Sequence, residues 1–243
     1  MSMARKGLAE ASRLKSRAGN RHLVYHMLSA AWKPPSDGLF HDLGSGLFAQ
    51  SLELLLGGLY EAEGLQLSGL GEDFAALRPA TAGPAVLRDE LGAEYIRLFV
   101  ANVHVPCPPY ESAWRERPDQ ESFGQLWGGS TLDVLAAYRE AGLEPAEGID
   151  DVPDHLGMEL EFMAHLAREE SEGWRAADPD TARSFQERER RFLTGHLAVW
   201  VPDFCRAVRR EADLPFYRGL ARVTEAFILW ERDSSLPAPA PPA

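Results

Sequence analysis

Apolar residues recur along this chain at intervals of three and four, the spacing of one helical face. In the stretch 86–101 the positions Leu87, Leu91, Tyr95, Leu98 and Phe99 advance in this way. Leu156, Leu160, Met163 and Ala167 form a second stripe, and Phe185, Phe192, His196 and Trp200 a third. The pattern predicts helices over Arg21–Trp32, Gly46–Glu63, Val86–Ala101, Leu126–Ala141, Asp154–Glu170, Pro179–Trp200 and Phe216–Arg232. No alternating run of useful length points to a strand, and no segment repeats. Composition agrees: 3 Ile, 5 Thr and 11 Val stand against 32 Leu, a bias toward helix formers. The fold class expected is all-α, a single compact helical bundle.

Proline and glycine punctuate the pattern. Pro34-Pro35-Ser36-Asp37-Gly38 ends the first helix, and Pro106, Pro108, Pro109 and Pro118 exclude a continuous helix between 103 and 118. An acidic loop, 144–153, precedes a helix start at which Asp151 is the expected N-cap, with Pro153 in the first turn and Asp154 favourably placed against the helix dipole. The expected organisation is a basic flexible head over 1–19, a helical domain over 20–232, and a Pro/Ala-rich disordered tail over 233–243.

Charge refines this picture. The 243 residues carry 25 Lys and Arg against 37 Asp and Glu, a net charge of −12. Arg5, Lys6, Arg13, Lys15, Arg17 and Arg21 face only Glu10 within the first 22 residues, so the remainder is more acidic still. Such a body repels nucleic acid and anionic membrane and attracts cationic partners. No window approaches 18 consecutive apolar residues, and the first residues lack a secretory apolar core. Two cysteines, Cys107 and Cys205, with no CxxC, read as reduced thiols. A soluble cytoplasmic protein is expected.

Candidate chemistry is sparse. His155 and Glu159 are four apart, as are Glu161 and His165, so each pair shares a helix face, but the two pairs point in different directions. Neither Glu-x-x-His nor His-Glu-x-x-His occurs. A Gly-x-Ser-x-Gly elbow and a Walker A loop are also absent, and Cys107 sits in a Pro-rich loop without a flanking His or Gly signature. No cofactor is expected. What helix building does not require is a Pro-stiffened aromatic segment, Pro108-Pro109-Tyr110-Glu111-Ser112-Ala113-Trp114. Rigid loops carrying aromatics make good peptide-binding surfaces.

Several segments, in order, resemble the TorD/DmsD/NarJ family of molybdoenzyme maturation chaperones. They are Glu94-Tyr95-Ile-Arg-Leu98-Phe99, Pro108-Pro109-Tyr110-Glu111-Ser112, and the stretch 153–163 that opens Pro153-Asp154-His155-Leu156. The stretch 192–204 and Phe216-Tyr217 are also family-like. The resemblance covers roughly residues 20–232 and implies a TorD-like helical bundle with no catalytic centre. It implies binding to the twin-arginine leader and apoprotein of a molybdopterin oxidoreductase subunit, assisting cofactor insertion and delaying export. By the same resemblance the leader-binding residues are Tyr95, Leu98, Phe99, Pro109, Tyr110, Glu111, Ser112, Asp154 and His155. The chain departs from the pattern at Val152, where relatives often place proline two residues before the aspartate. Alternatives are a metal-dependent helical enzyme using His155, Glu159, Glu161 and His165, or an adaptor without leader specificity. The expected state is a monomer, or a homodimer that exchanges elements through the hinges 103–118 or 144–153.

Overall fold

In a computed structural model the chain forms helices alone among the described residues, which are 2–63, 69–78, 84–100, 105–119, 122–144 and 152–235. In chain order they are α1 (Ser2–Trp32), α2 (Asp37–Ser45), α3 (Leu47–Glu61), α4 (Gly71–Ala76), α5 (Pro84–Tyr95), α6 (Glu111–Arg115), α7 (Gly129–Glu140), α8 (Leu156–Arg175), α9 (Pro179–Phe192), α10 (Ala198–Glu211) and α11 (Pro215–Trp230). Wider π turns over Ile96–Val100, Leu193–Leu197 and Glu231–Ser235 extend α5, join α9 to α10, and extend α11.

The elements form where their apolar stripes find partners. Val24, Tyr25, Leu28, Ala31 and Trp32 bury one face of α1, which lies along α8; α8 in turn packs on α9, and α10 on α11. Aromatic edges fill the centre. Trp32 meets Phe204 at 5.0 Å and Phe99 at 5.9 Å, and Phe99 meets Tyr217 at 5.5 Å. The Trp32 indole N–H is satisfied by the buried Thr224 hydroxyl at 3.0 Å.

Helix ends follow local chemistry. Ser36 caps α2 by accepting from the Leu39 N–H, and Gly46, at φ 76°, closes it in the left-handed region that glycine enters without strain. Asp178 caps α9, with Pro179 at its first position.

The structure differs from the periodicity in four places. First, α1 begins at Ser2, so the segment expected as a head is the N-terminal part of the same helix; Arg17 pairs with Glu63 at 2.5 Å and Ala18 is buried. Second, α7 starts at Gly129, leaving Leu126 and Trp127 in the preceding turn. Third, α10 runs through Pro202, and α2, α4 and α6 are additional. Fourth, the N-cap of α8 is His155, whose Nδ1 accepts from the Gly157 N–H, and not Asp151, which lies outside the described residues. Of the tail expected over 233–243, residues 233–235 belong to the last π turn, and the rest lies outside the described residues. Among the described residues no helix is long and apolar enough to cross a membrane.

Candidate functional site

Pro108 and Pro109 lack N–H donors and hold the chain extended, so Tyr110 arrives with β-region dihedrals at the start of α6. It pairs there with His155 in a lone antiparallel bridge. The Glu111 N–H donates to the Asp154 carbonyl at 2.9 Å, and the Leu156 N–H donates to the Pro109 carbonyl at 2.8 Å. The Tyr110 and His155 rings meet edge to face at 5.2 Å. Two loops more than forty residues apart in sequence are thereby clasped together.

Side chains complete the clasp. Tyr110 supplies no capping oxygen to α6, and Asp154 takes that part from the other loop: its Oδ2 accepts from the Ser112 N–H at 2.7 Å. Asp154 therefore caps α6, not the helix that follows it. The Trp114 indole donates to the Pro108 carbonyl at 2.7 Å, and the Tyr138 hydroxyl donates to the Pro153 carbonyl at 3.0 Å.

Beneath the clasp lie buried acids. Glu111 has no exposed surface; its Oε1 accepts from Arg115 at 2.5 Å and its Oε2 contacts His196 Nδ1 at 2.8 Å. Arg115 also donates to the Gly195 carbonyl at 3.0 Å. Gly195 and His196 belong to the π turn Leu193–Leu197, the kind of widened turn that is frequent at functional sites. Glu159, also fully buried, accepts from the Trp200 indole at 3.3 Å. Burial, with the charges of Glu111 and Asp154, pushes its carboxyl well above the usual carboxylate range. Ser112 Oγ, Asp154 Oδ1 and Glu159 Oε1 are buried without hydrogen-bond partners among the described residues. Behind the clasp the His196 ring stacks on Phe192 at 4.6 Å and lines a cavity of about 210 Å³ together with Phe162, Arg188 and Arg191.

The residues expected at a leader surface thus fall into two groups. Pro109, Tyr110, Glu111, Ser112, Asp154 and His155 are brought together in the clasp, with Tyr110 half-buried and the others buried. Tyr95, Leu98 and Phe99 are core: Tyr95 and Phe99 pack edge to face at 5.1 Å, and Leu98 is fully enclosed. They connect to the clasp through the Leu98 carbonyl, which accepts from the Cys107 N–H at 3.1 Å. Arg115, Tyr138, Glu159, Trp200 and His196 complete the site. The spacing of four between Glu111 and Arg115 was the available signal for one of them.

The four residues of the metal alternative do not converge. His155 caps α8, Glu159 faces Trp200, Glu161 pairs with Lys33 on the surface, and His165 lies beside Arg168. Among the described residues no group of three or more His, Cys, Asp or Glu side chains is arranged to hold a metal ion. Burial pushes the Cys107 thiol up to about 12, so its nucleophilic thiolate is not populated near neutral pH.

The family model described as nitrate reductase delta subunit matches residues 63–206, a stretch that contains both loops of the clasp and the π turn below it. The chlorate reductase assembly chaperone protein of Ideonella dechloratans is 35% identical over 122 residues, 50% of this chain and 58% of that protein. The Tat proofreading chaperone DmsD of Salmonella typhi is 28% identical over 172 residues, 70% of this chain and 75% of that one. The crystal structure of a redox enzyme maturation protein from Archaeoglobus fulgidus has a TM-score of 0.48 and 21% identity, covering 86% of this chain and 93% of its own. The chain spans 58% to 60% of the length of the first curated relatives it matches.

Proposed function

The chain belongs to the nitrate reductase delta subunit family, and from that premise we propose that it is an assembly chaperone for a molybdopterin-containing oxidoreductase. It works in the cytoplasm, binding the twin-arginine leader and the apoprotein of the catalytic subunit while cofactor is inserted, and so delays export. The observation that carries this reading is that residues 63–206, the matched stretch, contain the whole clasp and its acid layer. Assembly and proofreading chaperones among the relatives support it.

The physics of the clasp suits a guanidinium. Carboxylates recognise its planar fork better than they do an ammonium, and Glu111 and Asp154 lie in a layer shielded from solvent. Tyr110 is the part of the motif set that keeps exposed surface, and it offers an aromatic contact with few rotors to freeze. Tyr95, Leu98 and Phe99 act from behind, holding the core against which the Pro-rich strand is laid.

A tagged pull-down from the native host under anaerobic respiration, read by mass spectrometry, tests the proposal. The expected result is recovery of one large molybdopterin-binding subunit, and loss of molybdopterin from that subunit when the chaperone is deleted. Recovery without any change in cofactor content would reduce the protein to an adaptor, and failure to recover such a subunit would overturn the proposal.

A further inference from the structure

Arg115 makes the contacts that a bound arginine ligand would make. Its guanidinium lies on Glu111, a carboxylate with no exposed surface, and on the Gly195 carbonyl of the π turn, an acceptor from a different element. Yet Arg115 itself is a surface residue at the end of the five-residue helix α6, with a third (34%) of its side chain exposed. It can therefore swing out without unpacking the core. An ordinary pair spaced by four residues on a helix surface has both members in solvent. Here the acid is buried, and the arginine reaches into it from outside.

The seat also has more acceptors than Arg115 fills. Glu111 and Asp154 both lie close enough to act on Glu159. Asp154 Oδ1 and Ser112 Oγ have no hydrogen-bond partner among the described residues, although both side chains are fully buried. Buried acceptors left unmatched destabilise a structure unless something else supplies the donors. A segment carrying two guanidinium groups brings more donors than Arg115 does.

We propose that Arg115 is an internal stand-in for a client arginine, occupying the seat on Glu111 that a leader arginine takes when the client binds. The free protein is thereby held in a self-satisfied, low-affinity form, and client binding exchanges one guanidinium for another. The identity of the occupant rests on the chaperone reading above; the existence of a guanidinium seat does not.

Two measurements on the full chain separate these layers. In the first, a synthetic Arg-Arg leader peptide and its Lys-Lys counterpart are titrated by fluorescence anisotropy into wild type, Arg115→Ala, Arg115→Gln and Glu111→Gln. With about a tenth of wild-type molecules open, removing Arg115 tightens Arg-Arg binding by about tenfold. Lys-Lys binding gains less, and Glu111→Gln abolishes the preference. In the second, ethylguanidinium is added in a thermal melt. It raises the Tm of Arg115→Ala and leaves wild type and the Arg115→Ala/Glu111→Gln double variant unmoved.

If the peptide binds wild type but no more tightly after Arg115 is removed, and ethylguanidinium rescues nothing, the stand-in is overturned and the chaperone reading survives. If ethylguanidinium fills the vacated seat while no variant binds the leader, the seat stands and the leader reading falls. Arg115→Gln, run in both measurements, keeps a polar side chain on α6, so a fold lost in the alanine variant does not mask either result.

Discussion

Glu189 has no exposed surface and shares the guanidinium of Arg21 with Glu170 and Glu231. Burial, with the like charges of Glu170 and Glu231, lifts its carboxyl to about 8 in spite of Arg21. The folded state therefore holds a proton that the unfolded chain releases near 4.5, so stability is fully present below that value and is lost as pH rises toward 8. Glu189→Gln cannot ionise, and the gap in Tm between it and wild type should widen in the variant's favour from about pH 5 to pH 8 in a series of thermal melts. Asp154 gives a second test. Its alanine variant loses the carboxylate that holds the Ser112 N–H and should cost about 1–3 kcal/mol in urea unfolding, whereas asparagine, which keeps an accepting oxygen, should cost less. The clasp residues were legible as a set only through motif order. Their sequence positions did not reveal that Asp154 serves a helix beginning at residue 111, because that depends on the two loops meeting in space. Nor did the stripe that includes His196 reveal its contact with Glu111, since a π turn rotates that residue relative to a regular helix.

At the scale of elements, α6 is held from two sides. Asp154 caps it, and the turn at Gly124 packs on its end, with the Gly124 N–H donating to the Ala113 carbonyl at 2.9 Å. A β-carbon on Gly124 would stand 2.5 Å from the Ser112 carbonyl oxygen and 2.8 Å from that of Glu116, both backbone atoms that cannot swing aside. Gly124→Ala should therefore force the turn away from α6, costing about 1–3 kcal/mol and raising amide exchange over residues 105–116. The long amphipathic helices were legible because their stripes are what packing uses: α3 and α9 lie within the segments that periodicity marked, and α5, α8 and α11 overlap theirs over most of their length. Short helices were not, since α4 and α6 contain fewer than two full turns and no stripe can be read from them. The first half of α1 was hidden for another reason. It carries few apolar residues and grows as an extension of the packed half, helped by favourable propensities and by ties such as the Ser171 hydroxyl on the Lys15 carbonyl. In α10 the face formed by Val201, Phe204, Cys205 and Val208 is buried on both sides of Pro202, and that packing outweighs the hydrogen bond the proline cannot donate.

Across the whole molecule the main electrostatic joint is the Arg21 node. The arginine on α1 meets Glu170 on α8 at 2.9 Å, Glu189 on α9, and Glu231 just past α11 at 2.7 Å. Tyr25 donates to Glu231 at 2.9 Å, and Trp174 and Gln186 donate to Glu170 at 2.9 and 2.6 Å. Four helical segments from both ends of the chain thus converge on one cation. Arg21→Met would leave three buried acids facing one another and should cost about 3–5 kcal/mol in urea unfolding at neutral pH. The same joint sets a clock on synthesis. Arg21 and Glu231 lie 210 positions apart, so at about 5–20 residues per second the arginine is made about 10–40 s before its last partner. Until then the nascent bundle holds a cation whose shell is incomplete. A half-made copy, lacking Asp154 and His155, has no finished clasp either.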